Sequence, residues 1–276
     1  MTYQTITVRS LVRETFATIG SVYGPLLAMN FVELLIVLVL DKKLGAAPVP
    51  WNIIYLFWAV PFLWGAISFY IYRSLTGNQV TVGEAFKQAN KRLLQLILAN
   101  IPNLICALLM YALFMNGLLA FMIEAFNLAA RGGLQDIFDN SPAGPISVLL
   151  APGLFLLIFL WYSLVFRLTF SLYGTVIDNS SALHSVSSSW RITKGHFWLM
   201  CRAIFLLVFV ATLPTILNAI LIHLSEKLGG ADFVGSSLFV AGQLVSIVLG
   251  FAIQPLIAVY LVLLYLRLRD SAATIQ

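Results

Sequence analysis

VLLAPGLFLLIFLWYSLVF, residues 148–166, runs for nineteen positions without a charge. A strand with one wet face would alternate apolar with polar side chains, and neither this stretch nor Leu34–Leu40 does so. Both read as helices, the form that bonds every backbone group within one segment where there is no water. With a rise of about 1.5 Å per residue, about 20 residues cover the roughly 30 Å of bilayer hydrocarbon. Runs of this kind recur near 24–40, 51–72, 94–115, 147–171, 197–221 and 237–266. They predict an all-α integral membrane protein with six transmembrane helices in a single membrane domain, 1–276. The last run exceeds an upright crossing, and Gly250 and Pro255 inside it predict a kink or a strong tilt.

Composition supports the same class. The 276 residues are 61% hydrophobic and only 10% charged, with mean hydropathy +0.95. A water-soluble domain is about one quarter charged, so most of this surface must face lipid. The net charge of +5 does not point to nucleic acid, because in a membrane chain the placement of Lys and Arg is what informs. One side collects twelve, namely Arg9, Arg13, Arg73, Lys87, Lys91, Arg92, Arg167, Arg191, Lys194, Arg202, Arg267 and Arg269; the other has four, Lys42, Lys43, Arg131 and Lys227. The bias predicts a multi-pass protein with both termini cytoplasmic, and the plasma (inner) membrane is the default host of α-helical spans. Loops 41–50, 116–146 and 222–236 are expected outside. Cys106 and Cys201 lie in or beside apolar runs and read as small hydrophobes. No apolar core with a small-residue cleavage site opens the chain, so the first span is expected to act as its own targeting signal.

An amphipathic segment precedes each odd-numbered span. Val8, Leu11, Val12, Phe16 and Ile19 oppose Arg9, Arg13 and Glu14; Val82, Ala85, Phe86, Ala89 and Leu93 oppose Glu84, Lys87, Gln88 and Lys91. Leu183, Val186, Trp190 and Phe197 form a weaker third stripe. The pattern predicts three repeats of an interfacial helix plus a transmembrane hairpin, roughly 5–73, 79–172 and 180–268, with the amphipathic helices forming a basic cytoplasmic collar. Thr81 ahead of Glu84 reads as an N-cap, and Ser180 or Ser181 could cap the third segment. Pro25, Pro102 and Pro214 lie in the odd spans, where they would bend helices and open room inside.

No set of residues suggests catalysis. His184, His196 and His223 are scattered, and no phosphate loop, nucleophile elbow or zinc-protease helix is present. The serines of 180–189 lack a base and read as caps and interfacial polarity. No cofactor or metal is expected. Two charges at bilayer depth stand out, Glu33 and Arg167, because such charges are costly. Glu33 reads as a protonated or paired packing residue, or as the wall of a wet cavity. Arg167 reads as snorkelling to phosphate, as pairing with Glu33, or as lining a lipid or substrate cavity. Asn30, Asn103 and Asn218 join Glu33 as a candidate interior polar site, although interhelical bonding is the simpler role for each.

The stretch RLTFSLYGTVIDNSSALHSVSSSWRITKGHFW, residues 167–198, resembles the membrane domain of some bacterial glycerophosphoryl diester phosphodiesterases and related six-helix membrane proteins. In that group a helix ends in Arg and a small, apolar run, followed by an acidic residue. An Ala-Leu…Ser-Trp-x-x-x-Lys-Gly segment then leads into the next span. The matching positions are Arg167, Asp178, Ala182, Leu183, Ser189, Trp190, Lys194 and Gly195. TVGEAFKQANKRL, from Thr81, looks like the weaker partner motif of the same group. The resemblance covers most of the chain in topology and about thirty residues in motif. It implies no enzyme here, since the activity of the fused proteins belongs to a separate TIM-barrel domain with His, Glu and a divalent metal. These 276 positions have neither room nor residues for it.

The expected function is therefore a non-enzymatic membrane protein. It would bind anionic lipids, or a membrane-protein partner, through Arg167, Arg191, Lys194, Arg202 and Trp190, and no nucleic acid. The alternative is a transporter or exporter of a small or amphiphilic solute through a cavity lined by Glu33, Asn103 and Asn218. An intramembrane lipid enzyme or an accessory subunit of another chain ranks behind both.

Overall fold

The computed structural model describes residues 6–44, 55–106, 108–109, 164–165, 167–229 and 237–273. They are overwhelmingly helical and include no strand. In chain order the helices are α1 (Val8–Leu44), a π-helical turn (Tyr55–Ala59) running into α2 (Val60–Leu75), and α3 (Val82–Lys91). Then come α4 (Leu93–Cys106), α5 (167–177), α6 (Ala182–Thr193), α7 (Phe197–Gly229) and α8 (Ser237–Ala273).

Three helices are long and apolar enough to cross a bilayer, over Val8–Ile36, Phe197–His223 and Gly242–Ala273. These contain the first, fifth and sixth of the expected spans. The second and third expected spans overlap helices α2 and α4, which are shorter than a crossing requires. The centre of the fourth and the loop 116–146 lie outside the described residues.

The first amphipathic segment is not a separate element. Helix α1 continues unbroken from Val8 to Leu44 with Pro25 inside it, and one buried stripe, Leu11, Thr15, Val22, Leu26 and Met29, runs through the join. The helical spacing of that stripe matches one side facing neighbouring helices, so no break is needed between the polar start and the apolar continuation.

The protein core gathers at the charged end of the bundle. Eight successive residues of α8, Ala258 to Tyr265, are all buried, so this stretch is surrounded by other helices. Further up the same helix Val240, Leu244, Ile247 and Val248 are exposed, as are Phe205, Phe209, Leu213, Ile216 and Ile220 along one face of α7. Apolar side chains at three- and four-residue spacing on an uncovered face are what lipid contact requires. Two prolines sit where neighbours use nearby carbonyls: Ser246 Oγ donates to Pro214 O (3.1 Å) on α7, and Tyr23 Oη to Ala252 O (3.3 Å), three residues before Pro255.

Close approach of α2 to α4 depends on Gly65. A Cβ there would lie 2.7 Å from Leu96 Cδ1 and 3.4 Å from Val176 Cγ2. Helix α3 is capped as expected: Thr81 Oγ1 accepts from Glu84 N (3.2 Å) and Glu84 Oε2 accepts from Thr81 N (2.8 Å). Its apolar face turns inward, burying Ala85 and Ala89 and stacking Phe86 on Phe62 (5.6 Å between centroids). Glu84, Lys87 and Lys91 face out.

Candidate functional site

The turn 178–181 and helix α6 are positioned by α4, α5 and α8 together. Asp178 follows the last turn of α5, where its carboxylate accepts from Arg269 Nη1 (2.6 Å) and from the Tyr265 hydroxyl, both on α8. Asn179 takes a left-handed conformation (φ 58°), which Asn tolerates better than most residues, and its side-chain oxygen accepts from Arg92. The expected serine cap is absent: Ser181 makes no side-chain cap bond, and the Ala182 N–H donates instead to Gln95 Oε1 of α4 (2.9 Å). A neighbouring helix thus supplies the acceptor that a local hydroxyl would otherwise provide.

From that turn α6 folds back across α5. A Cβ on Gly174 would sit 3.4 Å from Ser185 Cβ, and the Ser189 hydroxyl donates to the Arg167 carbonyl. The inward face of α6 is therefore Ala182, Ser185, Ser189, Ile192 and Thr193. Small side chains let two helix backbones approach closely, and Ser189 satisfies a carbonyl in doing so. The apolar stripe faces the opposite way from the one on α3: Leu183 is 86% exposed and Trp190 49% exposed. Gly195 (φ 87°) makes the turn that Cβ-bearing residues resist, and α7 begins two residues later.

Arg167 lies at this junction. Its guanidinium carbon is 5.0 Å from the centroid of the Trp190 ring, a cation–π contact, and its charge reaches Cys201 on α7. Its Nε is buried with no hydrogen-bond partner. Arg191, Lys194 and Arg202 are exposed around it. The structure thus brings Arg167 and Trp190 into direct contact, with Arg191 beside Trp190 in sequence, Lys194 in the turn after α6, and Arg202 beside Cys201.

The interior polar residues occupy three different helix pairs. Glu33 Oε1 accepts from Tyr55 Oη (2.5 Å), and Asn30, one turn earlier on α1, is buried with Nδ2 unpartnered. Asn103 of α4 faces the segment leading into and through α5; with its amide oxygen and nitrogen exchanged, it donates to Val165 O (3.1 Å) and accepts from Thr169 N (3.3 Å). Asn218 of α7 faces Gly242 of α8, 3.5 Å from where a Cβ would lie. Their contacts do not assemble one polar site. Glu33 bonds Tyr55 and Arg167 stacks on Trp190, so the two do not pair with each other. Nineteen residues of α1 separate Glu33 from Glu14, which pairs with Arg267 (2.8 Å). At about 1.5 Å per residue that is about 28 Å, close to a full hydrocarbon thickness.

Among the described residues no three of His, Cys, Asp and Glu gather as a metal site. His196 Nε2 lies 3.5 Å from Ser271 Oγ, which ties the turn after α6 to the end of α8.

A family model for the membrane domain of glycerophosphoryl diester phosphodiesterase matches residues 137–274. The chain belongs to this family. No curated protein and no solved structure matches it. The matched region takes in the fourth expected span and α5 to α8, so the Arg167–Trp190 contact, the Asp178 cluster and the buried stretch of α8 all fall inside the membrane domain of the family. Membership agrees with a membrane protein built on long apolar helices. Sequence reasoning missed Tyr265, Arg269, Arg92 and Gln95 as partners of the 178–182 turn. No local pattern announces them, because they come from segments about 85 to 90 residues away.

Proposed function

We propose that this chain is a non-enzymatic, multi-pass protein of a bacterial plasma membrane that binds anionic lipid at its basic cytoplasmic face. The contacts are Arg167, Arg191, Lys194, Arg202 and Trp190. The observation that carries the reading is the orientation of α6, which packs by its serines and leaves Leu183 and Trp190 outward beside exposed Arg191 and Lys194. An apolar surface bordered by cations suits the boundary between acyl chains and anionic headgroups, where each basic residue contributes about 1 kcal/mol of attraction. A collar of three equivalent amphipathic helices is not needed for this, since α3 turns its apolar face inward and the first segment is part of α1.

Reconstitution into nanodiscs of zwitterionic lipid with increasing phosphatidylglycerol tests the reading. Thermal stability is expected to rise with the anionic fraction and to lose that dependence at 1 M salt, where the screening length is about 3 Å. Equal stability across compositions removes the proposal. The transport alternative has less support, because Glu33, Asn103 and Asn218 make their contacts at separate helix pairs.

A further inference from the structure

We infer that the corner where α6 turns into α7 binds a lipid carrying two phosphates, a diphosphatidylglycerol, in preference to lipids carrying one. This deepens the anionic-lipid reading and rests on it. Three cations meet at the corner: Arg191 in the last turn of α6, Lys194 in the turn that follows, and Arg202 on α7, all of them exposed. Arg167 ties the two helices together there, since its guanidinium carbon lies 5.0 Å from the centroid of the Trp190 ring and its charge reaches Cys201. Arg191 follows Trp190 in sequence, and Arg202 follows Cys201. No acidic residue occurs between Asp178 and Glu226, whereas Arg267 and Arg269 on α8 are paired with Glu14 and Asp178. Three positive charges at one corner exceed what a single phosphate can balance. Two phosphates joined through one glycerol complement them better, because binding the first holds the second at high local concentration.

The corner also lies at the depth of lipid phosphates. Arg202 belongs to the outward stripe of α7, four residues after Trp198 and three before Phe205, both well exposed. That stripe continues to Ile220, eighteen residues beyond Arg202 and so about 27 Å away, close to the roughly 30 Å of hydrocarbon. Arg202 therefore meets the membrane at one edge of the hydrocarbon, where a long basic side chain extends to the headgroups. Two apolar tracks leave the corner. One follows α6 through Trp190 to Leu183, and the other descends α7 through Phe205 and Phe209. A lipid with two diacylglycerol arms can lay one arm on each track, with Trp190 and Trp198 at the boundary between headgroups and chains. Basic surfaces between membrane helices on the cytoplasmic side suit lipids of this charge.

The test uses the full chain, delipidated in dodecyl maltoside, which contains no phosphorus. Thermal unfolding is followed during titration with tetraoleoyl diphosphatidylglycerol, or with twice the molar amount of dioleoylphosphatidylglycerol, so that phosphates and acyl chains are matched. At matched phosphate the two-phosphate lipid should reach half-saturation at a concentration lower by about tenfold or more. Arg191→Gln and Arg202→Gln should each remove most of that advantage, because each takes away a cation that the second phosphate needs. Equal potency of the two lipids at matched phosphate overturns the two-phosphate ligand and leaves the broader basic-face reading standing. Indifference of the wild type to both lipids removes both readings. An advantage kept in full by both variants overturns the corner as its site. Should either variant not fold, Lys194→Gln takes its place: loss of the advantage supports the corner, and an unchanged advantage overturns it.

Discussion

Removing the Asp178 carboxylate should destabilise the protein mainly through Tyr265. Asp178 and Arg269 have side chains 29% and 32% exposed, so their ion pair is partly screened and is worth about 0.2–1 kcal/mol. Tyr265 is different. It is 2% exposed, its ring packs at 5.6 Å on Tyr173 and 5.8 Å on Phe170, and its hydroxyl donates to Asp178. Asp178→Ala leaves that hydroxyl buried without an acceptor, at about 1–3 kcal/mol. The expected loss is therefore about 1–4 kcal/mol. Tyr265→Phe removes donor and need together, while Asp178 keeps Arg269, so about 1 kcal/mol is expected. In the Tyr265→Phe background, Asp178→Ala should then cost only the ion pair, giving a coupling of about 1–3 kcal/mol. Reversible unfolding in mixed micelles of dodecyl maltoside and dodecyl sulfate, run on all four members of the cycle, measures it. Additivity within about 0.5 kcal/mol would refute the reasoning.

Gly65→Val should destabilise by about 1–3 kcal/mol through overpacking against Leu96 and Val176, whereas Gly20→Ala, with open space around it, should not; the same unfolding assay compares them. Gly195→Ala meets no neighbour, so its cost of about 1–2 kcal/mol comes from the positive φ alone, read as a lowered unfolding midpoint. The backbone bond and hydroxyl bond from Thr81 hold Glu84 below the ordinary carboxylate range. A depressed pKa stabilises above the ordinary value and is lost as pH falls through the folded one. Amide exchange in the first turn of α3 should therefore lose protection in acid below about pH 4; Thr81→Ala, which keeps the backbone donor, should only weaken that dependence, and Glu84→Gln should abolish it.

Helix class was legible because a stretch such as Leu34–Leu40, which lies within α1, carries one unbroken apolar signal. The α3 cap was legible for the same reason, since Thr81 and Glu84 lie three residues apart. Orientation of α6 was not. Hydropathy weighs Leu183 and Trp190 as inward-facing and Ser185 and Ser189 as outward-facing, but close backbone contact at Gly174 favours small side chains and lipid accepts the large ones. The continuity of α1 was hidden because charges at Arg9, Arg13 and Glu14 mimic a separate surface helix. Arg167 and Trp190 were both visible as candidates, yet their contact depends on α6 folding back across α5, a tertiary event that periodicity does not encode.

Native mass spectrometry of the protein gently extracted from its own membrane, wild type against the Arg167→Ala/Arg202→Ala double variant, tests the lipid-binding account most directly. The account predicts a stoichiometric anionic phospholipid on the wild type that is missing from the variant. A bare wild-type protein, or equal lipid retention in both, would contradict it and turn attention to solute flux and Glu33.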